Sequence, residues 1–295
     1  MKTIRIGTRG SSLALVQAGL VRQALNQILP DFCLEIVPIQ TSGDIFNDVP
    51  LDTIGGKGVF VKDIEKSLFD GSIDIAVHSL KDMQAGLPEG LSISAFMLRE
   101  DPRDMLFSQQ LFTLTSLPEG ASIGTSSLRR KCQLMALRPD VHIENIRGNV
   151  PTRLKKAGSS VDAVVLAAAG VKRLGLPPGV PIDVQSMIPS PGQGIIAVES
   201  RLEDQELLEV LKQLDHEATR ICAQAERNFL AFLGADCHFP VAAHARIDNN
   251  RIFINGMIGS SDCTTLKSMG MLGDGPPVGG HLAQCIMEQL QKDSS

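Results

Sequence analysis

The 295-residue chain contains no Trp and no Tyr, so 11 Phe are its only large aromatic residues. A binding site here has few rings on which a ligand could stack. The longest uncharged apolar stretch, residues 163–171, is less than half of the ~20 residues that a membrane-spanning helix needs. Residues 1–5 lead directly into a strand-like pattern without the apolar core of a signal peptide. We therefore expect a cytoplasmic protein with no membrane partner.

The cysteine pattern argues against a metal site. The 6 Cys are scattered, with no CxxC and no Cys/His cluster at zinc spacing. This favours a reducing compartment, cysteines that are mostly inert, and no structural metal. Neither an HExxH zinc motif nor a GxSxG nucleophile elbow occurs in the chain.

The overall charge hides a local asymmetry. With 28 Lys and Arg against 33 Asp and Glu the net charge is -5, which disfavours a nucleic-acid partner. Residues 129–173 nevertheless contain ten Lys or Arg and three acids, a local charge of +7 that leaves -12 for the rest of the chain. An acidic protein thus has a basic middle section.

Strand and helix patterns alternate twice along the chain. The first series predicts strands and helices in turn at residues 3–7, 11–29, 33–40, 60–69 and 73–78. The second series begins after the charged segment 99–103 and covers residues 122–124, 126–137, 141–146, 150–157 and 162–167. Such alternation predicts a mainly parallel sheet in each of two α/β units.

The last section differs in pattern and predicts a smaller α/β domain. A long helical pattern at 215–233 is followed by two strands and a C-terminal helix, at residues 241–247, 251–258 and 279–291. The length fits two or three domains at roughly 100 to 150 residues each. We predict domain 1 at residues 1–98 and 195–214, domain 2 at 103–192 and domain 3 at 217–295.

Basic residues recur where predicted strands of the second unit end. Thr125-Ser126-Ser127-Leu128-Arg129-Arg130 places hydroxyls, backbone N–H groups and two guanidiniums at a helix N-terminus, which suits a carboxylate or phosphate. An ordinary Ser/Thr cap with solvated arginines is the alternative. Arg147-Gly148-Asn149 with Arg153, and Lys172-Arg173, follow the next two strands. Three clusters at carboxyl ends of strands favour an anion-binding cleft.

The first unit has matching candidates. Thr8-Arg9-Gly10-Ser11 follows its first strand, and His78-Ser79-Leu80-Lys81-Asp82 follows its third. Gly55-Gly56-Lys57-Gly58 lacks Walker spacing and instead suggests backbone amides near an acidic ligand. Asp82 is either a surface partner of Lys81 or a carboxylate that stabilises positive charge or moves a proton. For Cys237 the default interpretation is a buried, inert thiol, and its spacing alone gives no reason to replace that interpretation.

Taken in order, these motifs resemble the porphobilinogen deaminase (hydroxymethylbilane synthase) family. The resemblance also includes residues 99–104, Lys172-Arg173-Leu174 and Gly192-Gln193-Gly194, and it spans nearly the whole chain. It implies two α/β domains similar to the halves of periplasmic binding proteins, with a cleft between them, and a smaller C-terminal α/β domain that carries the cofactor cysteine. The implied protein is a cytoplasmic monomer.

The resemblance implies a transferase that condenses four porphobilinogen molecules on a dipyrromethane cofactor, with loss of ammonia, and then releases hydroxymethylbilane. The cofactor is joined by a thioether to Cys237. Asp82 is the central catalytic carboxylate, with Arg9 and Lys81 beside it. The other implied contacts to cofactor or substrate, chiefly through carboxylates, are Ser11, Lys57, Thr125, Ser126, Ser127, Arg129, Arg130, Arg147, Gly148, Arg153 and Arg173. Phe60 is the apolar neighbour of a pyrrole ring, and Gln193 lies at an interdomain crossing.

The chain departs from the family pattern at a few positions. Relatives commonly have Lys at Thr53, Val-Pro at Met83-Gln84 and Gly-Gly at Ala235-Asp236. The last change places an anionic side chain beside the cysteine, in a loop that usually relies on glycine. Two alternatives therefore stay open: a non-catalytic anion-binding protein of the same two-domain architecture, and a diverged, poorly cofactor-loaded paralogue.

Overall fold

The computed structural model describes residues 2–41, 61–234 and 240–293. The chain forms two compact units, one of Met1–Arg99 with Ile195–Arg220 and one of Glu100–Gly194 with Ile221–Ser295. In the part of the chain that is described, no helix has the length and apolar character to cross a membrane. The predicted boundaries of three domains stay a prediction.

The elements follow the predicted alternation, with additions. Up to residue 99 they are β1 (Thr3–Arg9), α1 (Ser12–Ile28), β2 (Cys33–Ile39), α2 (Lys62–Phe69), β3 (Ile75–Ser79) and β4 (Leu91–Phe96). Residues 100–194 contain β5 (Asp104–Ser108), β6 (Ser122–Gly124), α3 (Leu128–Leu137), β7 (His142–Glu144), α4 (Val150–Leu154), β8 (Ala163–Ala167), α5 (Ala168–Arg173) and β9 (Val180–Pro181). The remainder contains β10 (Ile196–Arg201), α6 (Gln205–Leu211), α7 (Glu217–Phe232), β11 (Val241–Asp248), β12 (Arg251–Gly259), β13 (Leu266–Gly273) and α8 (Val278–Asp293).

Two five-stranded sheets share one design. Their strand orders are β2-β1-β3-β10-β4 and β7-β6-β8-β5-β9. In the first sheet β1 pairs in parallel with β2 and β3, whereas β10 runs antiparallel to β3 and β4. In the second, β6 pairs in parallel with β7 and β8, and β5 runs antiparallel to β8 and β9. The prediction of mainly parallel sheets is confirmed, but the antiparallel strands β5 and β10 were not predicted.

Both faces of the first sheet are covered by helices. Val21 and Leu25 of α1 pack on Ile6 and Val77, which face one side of the sheet. On the other face Ile64 and Leu68 of α2 pack with Ile73, Ala76 and Leu91. The parallel register of Ile6 opposite Ile75 brings the ends of β1 and β3 to one edge of this sheet. That edge carries the candidate residues of the first unit.

The C-terminal part is a three-stranded antiparallel sheet, β11-β12-β13, packed against α7 and α8. The sequence predicted both helices and the first two strands but missed β13. At Gly279 of α8 a Cβ would lie 1.8 Å from the carbonyl oxygen of Ala225, so this close contact between the two helices requires glycine. Ile188 packs on Ala242 and Met257 within the same compact unit.

A disulfide joins Cys132 of α3 to Cys263 in the loop between β12 and β13. The sequence analysis expected mostly inert cysteines and did not single out this pair. The two residues are 131 positions apart in sequence, and only the packing of α3 near β13 brings their Cα atoms to 4.8 Å. No spacing rule could have identified them. Cys33 lies exposed and outside any disulfide.

Candidate functional site

At the first sheet, Arg9 is the last residue of β1 and Ser11 follows two positions later, at the same edge as the end of β3. Ser11 is the N-cap of α1, and its Oγ accepts a hydrogen bond from the Ala14 backbone N at 3.3 Å. Gln17 of α1, almost fully buried, places its Nε2 2.8 Å from the Ser79 Oγ at the end of β3. These contacts fix the two strand ends against the start of α1.

Asp82 stands on a short 3-10 turn, Leu80–Asp82, immediately after β3. The buried Leu80 side chain and the hydrogen bond from its N–H to the Ile195 carbonyl (3.0 Å) anchor this turn. Lys81 is half-buried, whereas Asp82 is exposed. The sequence therefore places an accessible carboxylate on a well-anchored support, as the proposed catalytic role requires.

A buried acid–imidazole pair lies next to this turn. The Nε2 atom of His78 lies 3.0 Å from Oε2 of Glu199 on β10, and both side chains are almost completely buried. Burial, and secondarily the charge of Glu199, raises the pKa of Glu65 on α2. The sequence did not single out Glu199 or Glu65, because their proximity arises from an unpredicted strand.

In the second unit, two of the three hydroxyls of Thr125–Ser127 accept hydrogen bonds from backbone N–H groups, and the third is exposed. Ser127 is the N-cap of α3 and accepts from the backbone N of Arg130 at 3.4 Å, while Thr125 Oγ1 accepts from the backbone N of Ser127 at 3.2 Å. Ser126 is exposed. The capping alternative is thus correct for Ser127, and it leaves Ser126 as the most accessible hydroxyl of the three.

The arginines after this cap are buried rather than solvated. Arg129 and Arg130 are each 6% exposed and both pair with the fully buried Asp104 at 2.8 Å. Arg129 Nη1 also donates to the Ile188 carbonyl (2.8 Å), and Arg130 Nη1 donates to the Val165 carbonyl (3.0 Å). The alternative of freely solvated guanidiniums is therefore wrong for both residues.

The neighbouring strand end supplies further basic residues. Arg147 is exposed, and Gly148 adopts a φ of +112°, a conformation that favours glycine. Arg153 Nε donates to the Gly148 carbonyl at 2.7 Å, and burial together with the charge of Arg130 lowers the Arg153 pKa. Arg130 and Arg153 are thus close enough to repel one another. Because β6 and β7 are parallel neighbours, both basic clusters lie at one sheet edge, as predicted.

The third predicted cluster is displaced along the chain. Lys172 and Arg173 are the last two residues of α5, so the first four residues of that helix separate them from β8. Lys172 Nζ pairs with Glu100 at 2.8 Å, and Arg173 Nη2 donates to the Gly194 carbonyl at 2.7 Å. Burial lowers the Arg173 pKa.

Gln193 is also buried. Its Nε2 donates to Asp104 at 2.9 Å and to the Pro102 carbonyl at 2.7 Å.

Several predicted site residues lie outside the described part of the chain. They are Lys57 with its flanking glycines, Phe60, Thr53, Ala235-Asp236 and Cys237. The main residue that sequence reasoning missed is Asp104. It stood in a motif that carried the family resemblance, yet no spacing relates residue 104 to residues 129 and 130.

Comparison with known proteins identifies the family. The "Porphobilinogen deaminase, dipyromethane cofactor binding domain" matches residues 4–209, and the "Porphobilinogen deaminase, C-terminal domain" matches residues 220–285. This chain belongs to the porphobilinogen deaminase family. A porphobilinogen deaminase of Roseiflexus sp. (strain RS-1) is 46% identical over 98% of this chain and 97% of its own length. The porphobilinogen deaminase of Syntrophomonas wolfei is 46% identical over 98% and 96%.

Solved structures give weaker likenesses. An ancestral cationic amino acid solute binding protein has a TM-score of 0.44 and 16% identity, covering 72% of this chain and 87% of that one. The BenM effector binding domain with benzoate has a TM-score of 0.43 and 15% identity, covering 72% and 91%. The mixed α/β fold rests on the strands and helices described above.

Proposed function

We propose that this chain is a working hydroxymethylbilane synthase, a transferase of tetrapyrrole, porphyrin and heme biosynthesis. It condenses four porphobilinogen molecules head to tail, with loss of ammonia at each step, and hydrolyses off the linear product. The observation that carries this proposal is the match of both porphobilinogen deaminase domains over residues 4–209 and 220–285 in a chain that has Asp82 and Cys237. The enzyme acts as a monomer in the cytoplasm.

Asp82 is the carboxylate that stabilises positive charge during the reaction. Its exposed carboxylate can accept hydrogen bonds from pyrrole N–H groups and stabilise the positive charge that develops on porphobilinogen as ammonia leaves. A carboxylate held on an anchored turn needs little reorganisation when that charge appears. Arg9 and Lys81 supply cationic groups near the ends of the same two strands and can neutralise ligand carboxylates.

The basic residues of the second sheet fit a polycarboxylate. Asp104 neutralises only one of the two buried guanidiniums beside it, and Arg153 lies close enough for repulsion from Arg130 to lower its pKa. An acetate or propionate group would remove this excess of positive charge through charge-assisted hydrogen bonds. The residues that hold such groups are Ser126, Arg129, Arg130, Arg147, Arg153 and Arg173.

A dipyrromethane joined to Cys237 by a thioether would supply the pyrrole carbon to which the first substrate unit is added. Ser11, Lys57, Thr125, Ser127 and Gly148 belong to the same proposed binding set, and Phe60 offers a pyrrole ring an apolar neighbour. Gln193 connects to this set through Asp104. The carboxylates of cofactor and substrate give the basic middle section its ligand.

Intact-mass spectrometry of the untreated protein tests the proposal directly. We expect a mass above that of the sequence by one two-pyrrole adduct, and loss of the adduct in Cys237→Ala. A protein without the adduct that forms no hydroxymethylbilane would contradict the proposal. If reverting Ala235-Asp236 to Gly-Gly then raised adduct occupancy, the diverged paralogue would be favoured.

Asp82→Asn is expected to lower turnover at least ~100-fold while cofactor attachment is largely retained, because the amide carries no charge for the developing cation. Product formation from porphobilinogen and intact mass measure the two effects. Glu89→Gln is the matched control, since Glu89 is an exposed acid of the same compact unit. Wild-type turnover in Asp82→Asn would contradict the role, and anion binding without turnover would favour the non-catalytic alternative.

A further inference from the structure

Asp104 is the centre of a buried polar cluster in the second compact unit. It is the first residue of β5, and its side chain is inaccessible to solvent. Its Oδ2 lies 2.8 Å from Arg129 Nη2, while its Oδ1 accepts from Arg130 Nη2 at 2.8 Å and Arg130 Nε at 3.2 Å. The same Oδ1 accepts from Gln193 Nε2 at 2.9 Å. One carboxylate thus orients three side chains.

The charge balance of this cluster is incomplete. Burial by itself raises the Asp104 pKa, but the charges of Arg129 and Arg130 outweigh burial, so the pKa lies well below its usual range. Burial lowers the Arg129 pKa, and the charge of Arg130 lowers it further. Among the residues that the structure describes, this cluster sets one carboxylate against two guanidiniums, which leaves one positive charge. Without Asp104 the cluster would contain two uncompensated positive charges, a costly arrangement inside a protein.

The geometry also restricts where the guanidiniums can point. Each is held by the Asp104 carboxylate, through an ion pair for Arg129 and through hydrogen bonds for Arg130. Each also donates to a main-chain carbonyl, that of Ile188 for Arg129 and that of Val165 for Arg130. A guanidinium fixed at several N–H groups has lost most of its side-chain freedom before a ligand arrives. Such preorganisation lowers the entropic cost of binding a carboxylate.

We propose that Asp104 is a positioning residue that holds Arg129 and Arg130 in place to receive a ligand carboxylate. This role rests on the proposed function and deepens it. Asp104 itself does not touch substrate or cofactor. It neutralises half of the buried positive charge, which lets both arginines stay in the interior, and it leaves the other half for the ligand. Gln193 completes the arrangement by donating from Nε2 to the same Oδ1 and to the Pro102 carbonyl.

The test compares Asp104→Asn and Asp104→Glu with Asp140→Asn. Asn keeps the shape of Asp104 without its charge, whereas Glu keeps the charge but displaces it by one methylene. Asp140 pairs with Arg138 at the other end of α3 and is a matched acid outside the proposed site. For each purified variant we would measure the unfolding midpoint, the fraction with the two-pyrrole adduct, and kcat and KM for porphobilinogen.

For folded Asp104→Asn we expect the KM to rise about tenfold and adduct occupancy to fall, because two guanidiniums lose their alignment. The kcat of the loaded fraction should change less than about threefold, since the lost interaction orients binding groups. Asp104→Glu should fold and show an intermediate KM. Asp140→Asn should match the wild type in KM and occupancy.

Several outcomes would overturn the positioning role. One is a wild-type KM and full occupancy in folded Asp104→Asn, or in Asp104→Glu if the Asn variant does not fold. Another is loss of folding in both Asp104 variants while Asp140→Asn folds, which would assign Asp104 to stability alone. Failure of the proposed function is separate, because the wild-type protein itself would then lack both adduct and product.

Discussion

Individual buried acids in this protein differ in how fully their charge is compensated. Asp104 faces two guanidiniums and an amide, so its carboxylate is stable as an anion despite complete burial. Glu199 is equally buried but has one imidazole partner at 3.0 Å. Glu65, half-buried near that pair, has a raised pKa because burial and the negative charge of Glu199 oppose its ionisation. The ionised form of Glu65 therefore weakens the fold.

We expect Glu65→Gln to stabilise the protein at neutral pH. A carboxyl whose pKa is raised in the folded state favours folding at low pH, and this contribution is lost as the pH rises through the folded pKa. The variant should exceed the wild type by up to ~1 kcal/mol at pH 7, since partial exposure screens the effect, and by nothing at pH 4. Urea unfolding at both pH values measures this. An equal gain of Glu65→Gln over the wild type at pH 4 and at pH 7 would contradict the explanation.

At the scale of elements, helix α3 combines a favourable cap with an unfavourable charge distribution. Ser127 satisfies a backbone N–H at its start, yet Arg129 and Arg130 in the first turn oppose the helix dipole. Asp104 on β5 supplies the nearby negative charge. The helix thus depends on a residue from another element for the charge that its own sequence lacks.

Ser127→Ala is expected to lower the free energy of unfolding by about 1 kcal/mol through loss of the N-cap, whereas Ser126→Ala should stay within about 0.5 kcal/mol of the wild type. The two residues are neighbours of one type, so they form a matched pair. Denaturant unfolding measures stability, and KM for porphobilinogen measures ligand contact. Ser126→Ala should affect only the KM. Equal losses of stability in both variants would refute the assignment of the cap.

The sequence predicted elements well where a local pattern defines them. The α1 helix and the strands β1, β2, β6 and β8 lie at or close to the predicted positions, because apolar spacing and Ser caps are local signals. The antiparallel strands β5 and β10 follow the first two of the three crossings between compact units, and their short runs carry no periodicity that separates them from loops. Two of the three basic clusters were placed correctly, since they depend only on which strands are parallel neighbours.

At the scale of the whole molecule, long-range pairs were beyond sequence reasoning. Asp104 meets Arg129 and Arg130, His78 meets Glu199, and Cys132 meets Cys263, each through packing of elements far apart in the chain. Such pairs depend on sheet order, which apolar spacing does not specify. Under the proposed function, we expect substitutions of arginine to weaken ligand binding more than loss of any Phe ring.

The Cys132–Cys263 disulfide should stabilise the second compact unit strongly, because it closes a loop of 131 positions between α3 and the β12–β13 hairpin. Cross-linking over so long a loop restricts the unfolded chain, and removal of a native disulfide typically costs ~2–5 kcal/mol. We expect Cys263→Ser to lower the free energy of unfolding within that range, and dithiothreitol to have the same effect on the wild type. The reductant should not lower the stability of Cys263→Ser further.

Cys33→Ser, at an exposed cysteine outside the disulfide, should unfold like the wild type. Urea unfolding with and without reductant measures these free energies of unfolding. If the reductant left the free energy of unfolding of the wild type unchanged, the prediction that the cross-link stabilises the protein would be wrong.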